Sequence, residues 1–377
     1  MLLELTNPPP SLRAAHGKDK IDRMPEKTRS LRLKLLTWYR KCARDLPWRR
    51  TRDPYKIWVS EIMLQQTQVQ TVIPYYNRWL ERFPTLETLA RASQEDVLKY
   101  WAGLGYYRRV KMLHSAAQFV QAELHGQIPS NPEELLKIPG IGRYTAGAIA
   151  SIAFQKPAPL VDGNVIRILT RLYALKKDCA APETLRELWN LAGKLVPQKN
   201  PGDFNQAMME LGATVCAPKN PACPLCPVRS ECEAFALEQP ERFPVKTQKE
   251  KIEKLSTAAF IFKNPKDEVL ISRQPQNARW GGLWMFPFGE TKTDVTARFK
   301  LKKTPESHSF VIKHGFTKYS IQLHVFETAV SRKQSETWQA SDRRWVPITE
   351  LENFAFPSPH QKISRYLKEK HHALTAA

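Results

Sequence analysis

Apolar residues change their period partway along this chain, and that change dictates two differently built halves. From Leu31 to about Phe235 the text is helical. Leu31, Leu35, Trp38 and Cys42 share one helix face, and Val110, Leu113, Ala117, Val120 and Leu124 step by three and four before Gly126. Ser93 with Asp96 reads as a capped start with Gly103 as its stop. Asn131 with Glu134 opens a short helix, and Asp203 with Gln206 opens another bearing Phe204, Met208 and Leu211. Beyond a charged, Pro-containing stretch, alternation takes over. Residues 257–262 and 269–273 read as strands around a turn at 264–267, 319–327 and 344–346 as further strands, and 361–370 as a closing helix. The expected fold class is therefore multidomain: an all-α first part followed by a smaller α+β domain. Its divisions are a tail at 1–28, an all-α core at 29–236, a linker at 237–254, a second domain at 255–370 and a tail at 371–377.

The length of 377 residues suffices for two or three cores. No uncharged apolar run approaches the ~18 residues of a membrane span, and the longest candidate, 144–154, is too short. Glu4 and Pro8-Pro9-Pro10 interrupt any apolar leader. A membrane, secreted or collagen-like protein is not expected; a bacterial cytoplasmic one is. The formal net charge is +21, and residues 1–60 alone hold 15 Lys/Arg against 6 Asp/Glu, a net of +9. Such an excess on a globular chain points to a polyanionic partner, usually nucleic acid, with a merely solubilising surface as the plainer reading.

Four of the six cysteines, Cys216, Cys223, Cys226 and Cys232, crowd into C-x6-C-x2-C-x5-C. Thiols this close in a cytosolic chain suit a metal centre better than a disulfide framework, and the spacing accepts either zinc or iron–sulfur. Ile138-Pro139-Gly140-Ile141-Gly142-Arg143-Tyr144 stands between two short helices, in the pattern of a helix-hairpin-helix at 133–155, with an ordinary Gly-turned helix pair as the plainer reading. Gly140 and Gly142 admit tight turns, and the second helix begins with free N–H groups suited to phosphate. Asp162-Gly163 precedes an apolar-periodic helix, as a cap does. Glu61 is stranger, an acid among Ile57, Trp58, Val59, Ile62, Met63 and Leu64. A solvated helix face would explain it. A buried carboxyl there, with its pKa raised, would instead be a usable proton donor.

The hairpin, the following Asp and the cysteine loop resemble, in order and distance, the endonuclease III-like DNA glycosylase superfamily. Within it, Leu46-Pro47-Trp48-Arg49, Ser60-Glu61-Ile62-Met63-Leu64-Gln65-Gln66-Thr67, Gly103-Leu104-Gly105-Tyr106-Tyr107 and Val161-Asp162-Gly163-Asn164 resemble the adenine DNA glycosylase (MutY) family, over roughly residues 30–370. The resemblance implies a [4Fe-4S] cluster on the four cysteines and, as partner, double-stranded DNA holding adenine opposite 8-oxoguanine, acted on by a monomer at the nucleoid. It implies Glu61 as general acid, Asp162 as stabiliser of the cationic sugar and Asn164 as an orienting donor. Trp48, Arg49 and Leu64 would line the adenine pocket. Gln66, beside Thr67, would wedge into the helix, and Leu104 and Tyr106 would approach 8-oxoguanine. Bifunctional relatives carry Lys where this chain has Tyr144, and a phenol forms no imine, so base removal without strand cleavage is expected.

Residues 255–370 resemble the Nudix (MutT-like) fold through Trp280-Gly281-Gly282-Leu283-Trp284-Met285-Phe286-Pro287. After Gly289 only Glu290, Asp294 and Glu306 are available to hold a divalent ion, so a reader of the damaged base is expected rather than a second enzyme. Phe316-Thr317-Lys318 stands where the family has Phe-Ser-His, and Lys318 alters that contact. The competing readings are a strand-cleaving endonuclease III-like enzyme and a non-catalytic iron–sulfur DNA-binding protein.

Overall fold

The computed structural model of the chain describes residues 26–247, 252–278, 280–301, 308–316 and 319–375. Its first part is helical: α1 (Glu26–Cys42), α2 (Pro54–Leu64), α3 (Val69–Arg82), α4 (Leu86–Arg91), α5 (Gln94–Trp101), α6 (Tyr107–Glu123), α7 (Pro132–Leu135), α8 (Arg143–Ala148), α9 (Gly163–Leu172), α10 (Pro182–Leu195), α11 (Pro201–Thr214) and α12 (Glu233–Ala236). The first helix starts at Glu26, so its first three residues lie inside the stretch read as a tail.

The caps follow from sequence. Ser93 accepts from the Asp96 N–H at 3.1 Å to open α5, and Asn131 accepts from the Glu133 N–H at 2.8 Å to open α7. One start differs. α11 begins at Pro201, whose fixed φ suits a first helical position, after Asn200 in the left-handed region, and Asp203 lies inside the first turn. Helix α8 does not stop at Ala148 but widens into a π-turn over Ile149–Ala153.

Two apolar clusters fill this part. One gathers α2 to α8 around Trp58, Trp79, Phe83 and Trp101. The other joins α1 to α9, α10 and α11 around Leu35, Leu169, Leu188 and Leu211. Helix α2 runs along their seam: Trp58, Val59, Ile62 and Met63 face the first cluster and Ile57 the second. With Asp53 capping it, Pro54 at its first position and apolar residues on every side, α2 is buried almost all round. Glu61 is carried in with it.

The second part is a seven-stranded mixed sheet: β1 (Glu253–Lys263), β2 (Glu268–Arg273), β3 (Trp284–Met285), β4 (Phe288–Gly289), β5 (Phe310–Phe316), β6 (Tyr319–Ala329) and β7 (Arg343–Pro347). Strand order is β3-β2-β1-β6-β5, with β4 against β1 and β7 against β2, and β1 and β6 run parallel over eleven residue pairs. Alternation along β1 sends Ala259 and Ile261 to one face, against Leu351, Ile363 and Leu367, and Ala258, Phe260 and Phe262 to the other, against Val295, Phe299 and Trp338. The covering helices are α13 (Lys292–Arg298), α14 (Arg332–Thr337) and α15 (Ser358–Thr375), the last longer at both ends than the 361–370 read from sequence.

The halves meet closely. Leu283 and Ala355 of the second part belong to the first helical cluster, Trp284 Nε1 donates to Glu95 at 3.3 Å, and Lys111 Nζ donates to the Gly281 carbonyl at 2.7 Å. Among the described residues no helix is long and apolar enough to cross a membrane.

Candidate active site

Three elements converge on the seam beside α2. Helix α8 crosses the segment leading to Asp162 so closely that a Cβ on Gly147 would stand 2.0 Å from the Pro159 carbonyl oxygen, which only glycine permits. This close crossing sets Tyr144, one turn earlier on α8, facing Glu61. The Tyr144 hydroxyl donates to Glu61 Oε2 and also lies 3.4 Å from Met209 Sδ of α11. Asp162 is the N-cap of α9: Oδ1 accepts from the Val165 N–H at 2.7 Å and Oδ2 from Asn164 Nδ2 at 3.0 Å. Arg167 Nη2 in turn donates to Asn164 Oδ1 at 2.7 Å.

The electrostatics follow from burial. Glu61 is 4% exposed. Loss of solvent pushes its carboxyl up to about 7 and the Asp162 charge adds to this, while the Tyr144 hydrogen bond and the Arg49 charge oppose it. Burial also raises Asp162, opposed by the N–H groups of Val165 and Asn164, the Asn164 side chain and the Arg167 charge. Tyr144 is held well above the ordinary phenol value by burial and by both acids. Glu61 lies in the field of Asp162, so one site holds a carboxyl able to carry a proton near neutrality and a second carboxyl anchored as a helix cap.

The other sequence-derived candidates fall into groups. Gln66 is exposed with φ 54°, and Tyr106 is half-buried with φ 49°. Arg109 braces both neighbourhoods: its guanidinium lies 5.0 Å from the Tyr106 ring centre and donates to the carbonyls of Ile62, Met63 and Gln65 and to Thr67 Oγ1, on either side of Gln66. Leu104 is 6% exposed and packs in the first cluster instead of projecting. Trp48 is buried edge-on to Tyr76, and Leu64 is half-buried against the same cluster. Arg49 donates to Glu210 Oε2 at 2.8 Å and to the Arg44 carbonyl at 3.0 Å. Gly140, with φ 85°, and Gly142, at the start of α8, are exposed. Phe316 ends β5; Thr317 and Lys318 lie outside the described residues, as does Glu306.

Two residues that brace the site escape a sequence reading. Arg109 sits in Arg108-Arg109-Val110-Lys111, which resembles any basic helix face, and only tertiary structure reveals its carbonyl partners. Glu210 sits in Met208-Met209-Glu210-Leu211, an acid in apolar text, the same signal that singles out Glu61.

The four cysteines form no disulfide and lie in each other's electrostatic field. Burial pushes Cys226 up to about 12, and Cys216, Cys232 and Cys223 add to the rise. Arg171, 2% exposed, donates to Cys216 Sγ at 3.2 Å and to the carbonyls of Ala217 and Pro218 at 2.8 and 3.1 Å. Among the described residues no three His, Cys, Asp or Glu side chains close on a single-ion site. A four-thiol donor set under a buried guanidinium nevertheless suits a thiolate-held group of net negative charge.

Comparison with known proteins agrees with this layout. The model of the HhH-GPD superfamily of base excision DNA repair proteins matches residues 59–194, and that of the NUDIX domain matches 258–366. The chain is 36% identical to the adenine DNA glycosylase of Rattus norvegicus, over 90% of this chain and 78% of that protein. It is 34% identical to that of Buchnera aphidicola subsp. Schizaphis graminum, over 89% of this chain and 97% of the relative. Among solved structures, a thermostable thymine-DNA glycosylase superposes with TM-score 0.52 at 31% identity, covering 56% of this chain and 97% of its own. Relatives matched over most of their length, together with the HhH-GPD and NUDIX matches within this chain, identify an enzyme of base excision repair: the chain belongs to the adenine DNA glycosylase family.

Proposed function

We propose that this enzyme hydrolyses the N-glycosidic bond of adenine paired with 8-oxoguanine, and with guanine, in double-stranded DNA. It does so as a monomer in the bacterial cytoplasm, at the nucleoid, and without efficient strand cleavage. The observation carrying the reading is the buried Glu61 carboxyl, raised to about 7, hydrogen-bonded to Tyr144 with Asp162 in its field.

In this reading the adenine leaves the stack at a cost of a few kcal/mol. Gln66, next to Thr67, fills the gap, Leu104 and Tyr106 meet the opposite base, and Trp48, Arg49 and Leu64 bound the pocket. Gly140 and Gly142 let the hairpin backbone approach a phosphate. Glu61 protonates N7, the C1′–N9 bond breaks with its electron pair leaving on adenine, and the sugar becomes oxocarbenium-like. Asp162 stabilises that charge. At ~4 Å and an effective dielectric near 20 one such interaction contributes about 4 kcal/mol, roughly a thousandfold in rate. Asn164 holds Asp162 in place, and the ionised Glu61 takes a proton from the water that adds at C1′, leaving free adenine and an abasic site. With Tyr144 in place of an amine, no imine forms and the strand stays intact.

Cys216, Cys223, Cys226 and Cys232 would hold the [4Fe-4S] cluster typical of this family. Bound there, the group supplies four strong sulfur bonds that cross-tie an otherwise irregular loop. In the second domain Glu290 is exposed and Asp294 is engaged in capping α13, where it accepts from the Thr291 N–H at 2.8 Å. That favours reading of the damaged base, by Phe316 and Thr317, over metal-dependent hydrolysis.

The test is single-turnover release of adenine from an 8-oxoguanine:adenine duplex, with guanine:adenine and thymine-glycol duplexes alongside. Release from the first, faster than from the second and absent from the third, is expected. No adenine release would overturn the proposal, and strand scission on thymine glycol would favour the endonuclease III-like alternative.

A further inference from the structure

The turn from Gly103 to Tyr106 is an expensive piece of backbone. Gly103, Gly105 and Tyr106 all have positive φ, at 97°, 77° and 49°, and for tyrosine that region is strained. Such a shape persists only when its surroundings over-determine it. Inside the helical part, Trp101 Nε1 donates to the Gly105 carbonyl at 2.9 Å and Tyr75 Oη to the Ala102 carbonyl at 2.9 Å.

The remaining supports reach the other domain, through Tyr107 or directly. The Gly103 N–H donates to Tyr107 Oη at 3.1 Å, and that hydroxyl donates onward to the Phe356 carbonyl at 3.1 Å. Ser358 Oγ donates to the Gly103 carbonyl at 3.3 Å. A Cβ on Gly103 would lie 2.3 Å from Tyr75 Oη and 2.7 Å from Gln361 Oε1, so the turn is wedged between α3 and the start of α15. Both polar groups of Gly103 are thus held through residues 356–358, at the N-terminal end of α15.

We propose that Tyr107 is a positioning residue through which the C-terminal domain sets the shape of the Gly103–Tyr106 turn, so that this domain tunes recognition of the mispair from behind as well as by facing the opposite base. The inference rests on the proposed mispair function, because it assigns Leu104 and Tyr106 to the side of the opposite base. Its physical basis stands apart from that reading: Tyr107 is 6% exposed, and its hydroxyl is the shared partner of a donor in one domain and an acceptor in the other.

The experiment compares Y107F, S358A and K99A in the full-length protein. K99A is the interface control, because Lys99 Nζ reaches Asn353 Oδ1 across the same boundary at 3.4 Å yet does not touch the turn. Hydrogen exchange of the free protein is read first. Loss of one partner should speed exchange of the Gly103 amide about tenfold in Y107F and less in S358A, with K99A unchanged. The ratio of kcat/KM on 8-oxoguanine:adenine to that on guanine:adenine should then fall about fivefold in Y107F, with kcat on guanine:adenine changed less than twofold. Unchanged exchange in both Y107F and S358A overturns the proposal, as does an equal rise in K99A, which would mean general loosening of the interface. Faster exchange with an intact ratio overturns it too. Should the wild-type enzyme itself show no preference for 8-oxoguanine, the mispair reading fails, while the exchange data still decide whether the clasp exists.

Discussion

Two glutamates in this chain begin alike and end as opposites. Glu61 on α2 and Glu210 on α11 are each set in apolar helix text, and they are 4% and 1% exposed. Glu210 accepts from Arg44 through its N–H at 3.0 Å, Nε at 2.8 Å and Nη2 at 2.7 Å, and from Arg49 Nη2 at 2.8 Å, which holds its carboxyl down at about 2 against the cost of burial. Glu61 has a phenol in place of guanidinium groups and is pushed up to about 7. Burial alone decides nothing about a carboxyl; the supply of cations decides whether it becomes a strut or an acid. The two are linked through Arg49, whose charge is the weakest influence on Glu61 while the same guanidinium is committed to Glu210.

The largest expected effect breaks the comparison on the acidic side. E61Q keeps the volume and a hydrogen-bonding partner for Tyr144 but has no proton to give. Single-turnover adenine release should fall by up to about 10⁴-fold while affinity for the mispaired duplex changes little. Excision within tenfold of wild type would remove Glu61 from the donor role. Next in size is E210Q, which leaves Arg44 and Arg49 without a full counter-charge and should destabilise the fold by about 4 kcal/mol in chemical denaturation. The freed Arg49 charge should also lower the pH at which excision declines. A stable E210Q enzyme with an unmoved pH profile would show that Glu210 neither braces the fold nor shields Glu61.

How far this contrast is legible in sequence depends on which partners are local. Glu61 stands out because every neighbour on its helix is apolar, and Asp162 because Asp-Gly before an apolar helix is a capping pattern that the structure realises with the Val165 N–H. Glu210 carries the same signal, but its meaning lies in Arg44 and Arg49, more than 150 residues away. The period change placed helices before strands. It did not reveal β3 and β4, two residues each, whose pairing depends on β2 and β1, nor β5, nor the π-turn after α8. Leu104 is a different case: a family motif, not any local pattern, assigns it to DNA, and its packing in the first apolar cluster is set by residues distant in sequence.

Glu61 also implies a conflict between stability and function. Its carboxyl titrates near 7 when folded and at its ordinary value of 4.5 when unfolded, so the folded state holds the proton more tightly between those values. Stability therefore falls as pH rises through that window, and the loss, about 3 kcal/mol, is complete above pH 7. E61Q lacks this slope. Unfolding free energies at pH 4.5 and 8 should show the variant gaining on wild type by that amount. Parallel pH dependences would mean that Glu61 is ionised throughout and held by a cation after all.

The smallest effect sharpens the comparison at its one point of support. Tyr144 favours the ionised form of Glu61 by donating to it, so it restrains the rise that burial imposes. Y144F removes that donor and keeps the ring against the second apolar cluster. The alkaline limb of the excision profile should then move upward, by about one pH unit, since a single hydrogen bond to a charged group contributes roughly 1.5 kcal/mol. A downward shift would mean that the carboxyl donates to the phenol, reversing the pair. Y144K tests the same position with an amine: it should permit borohydride trapping of a DNA imine, because a nucleophile would then stand where the phenol does, one hydrogen bond from the acid. Absence of any trapped adduct in a folded Y144K protein would place that side chain too far from the sugar for the arrangement argued from Glu61 and Asp162.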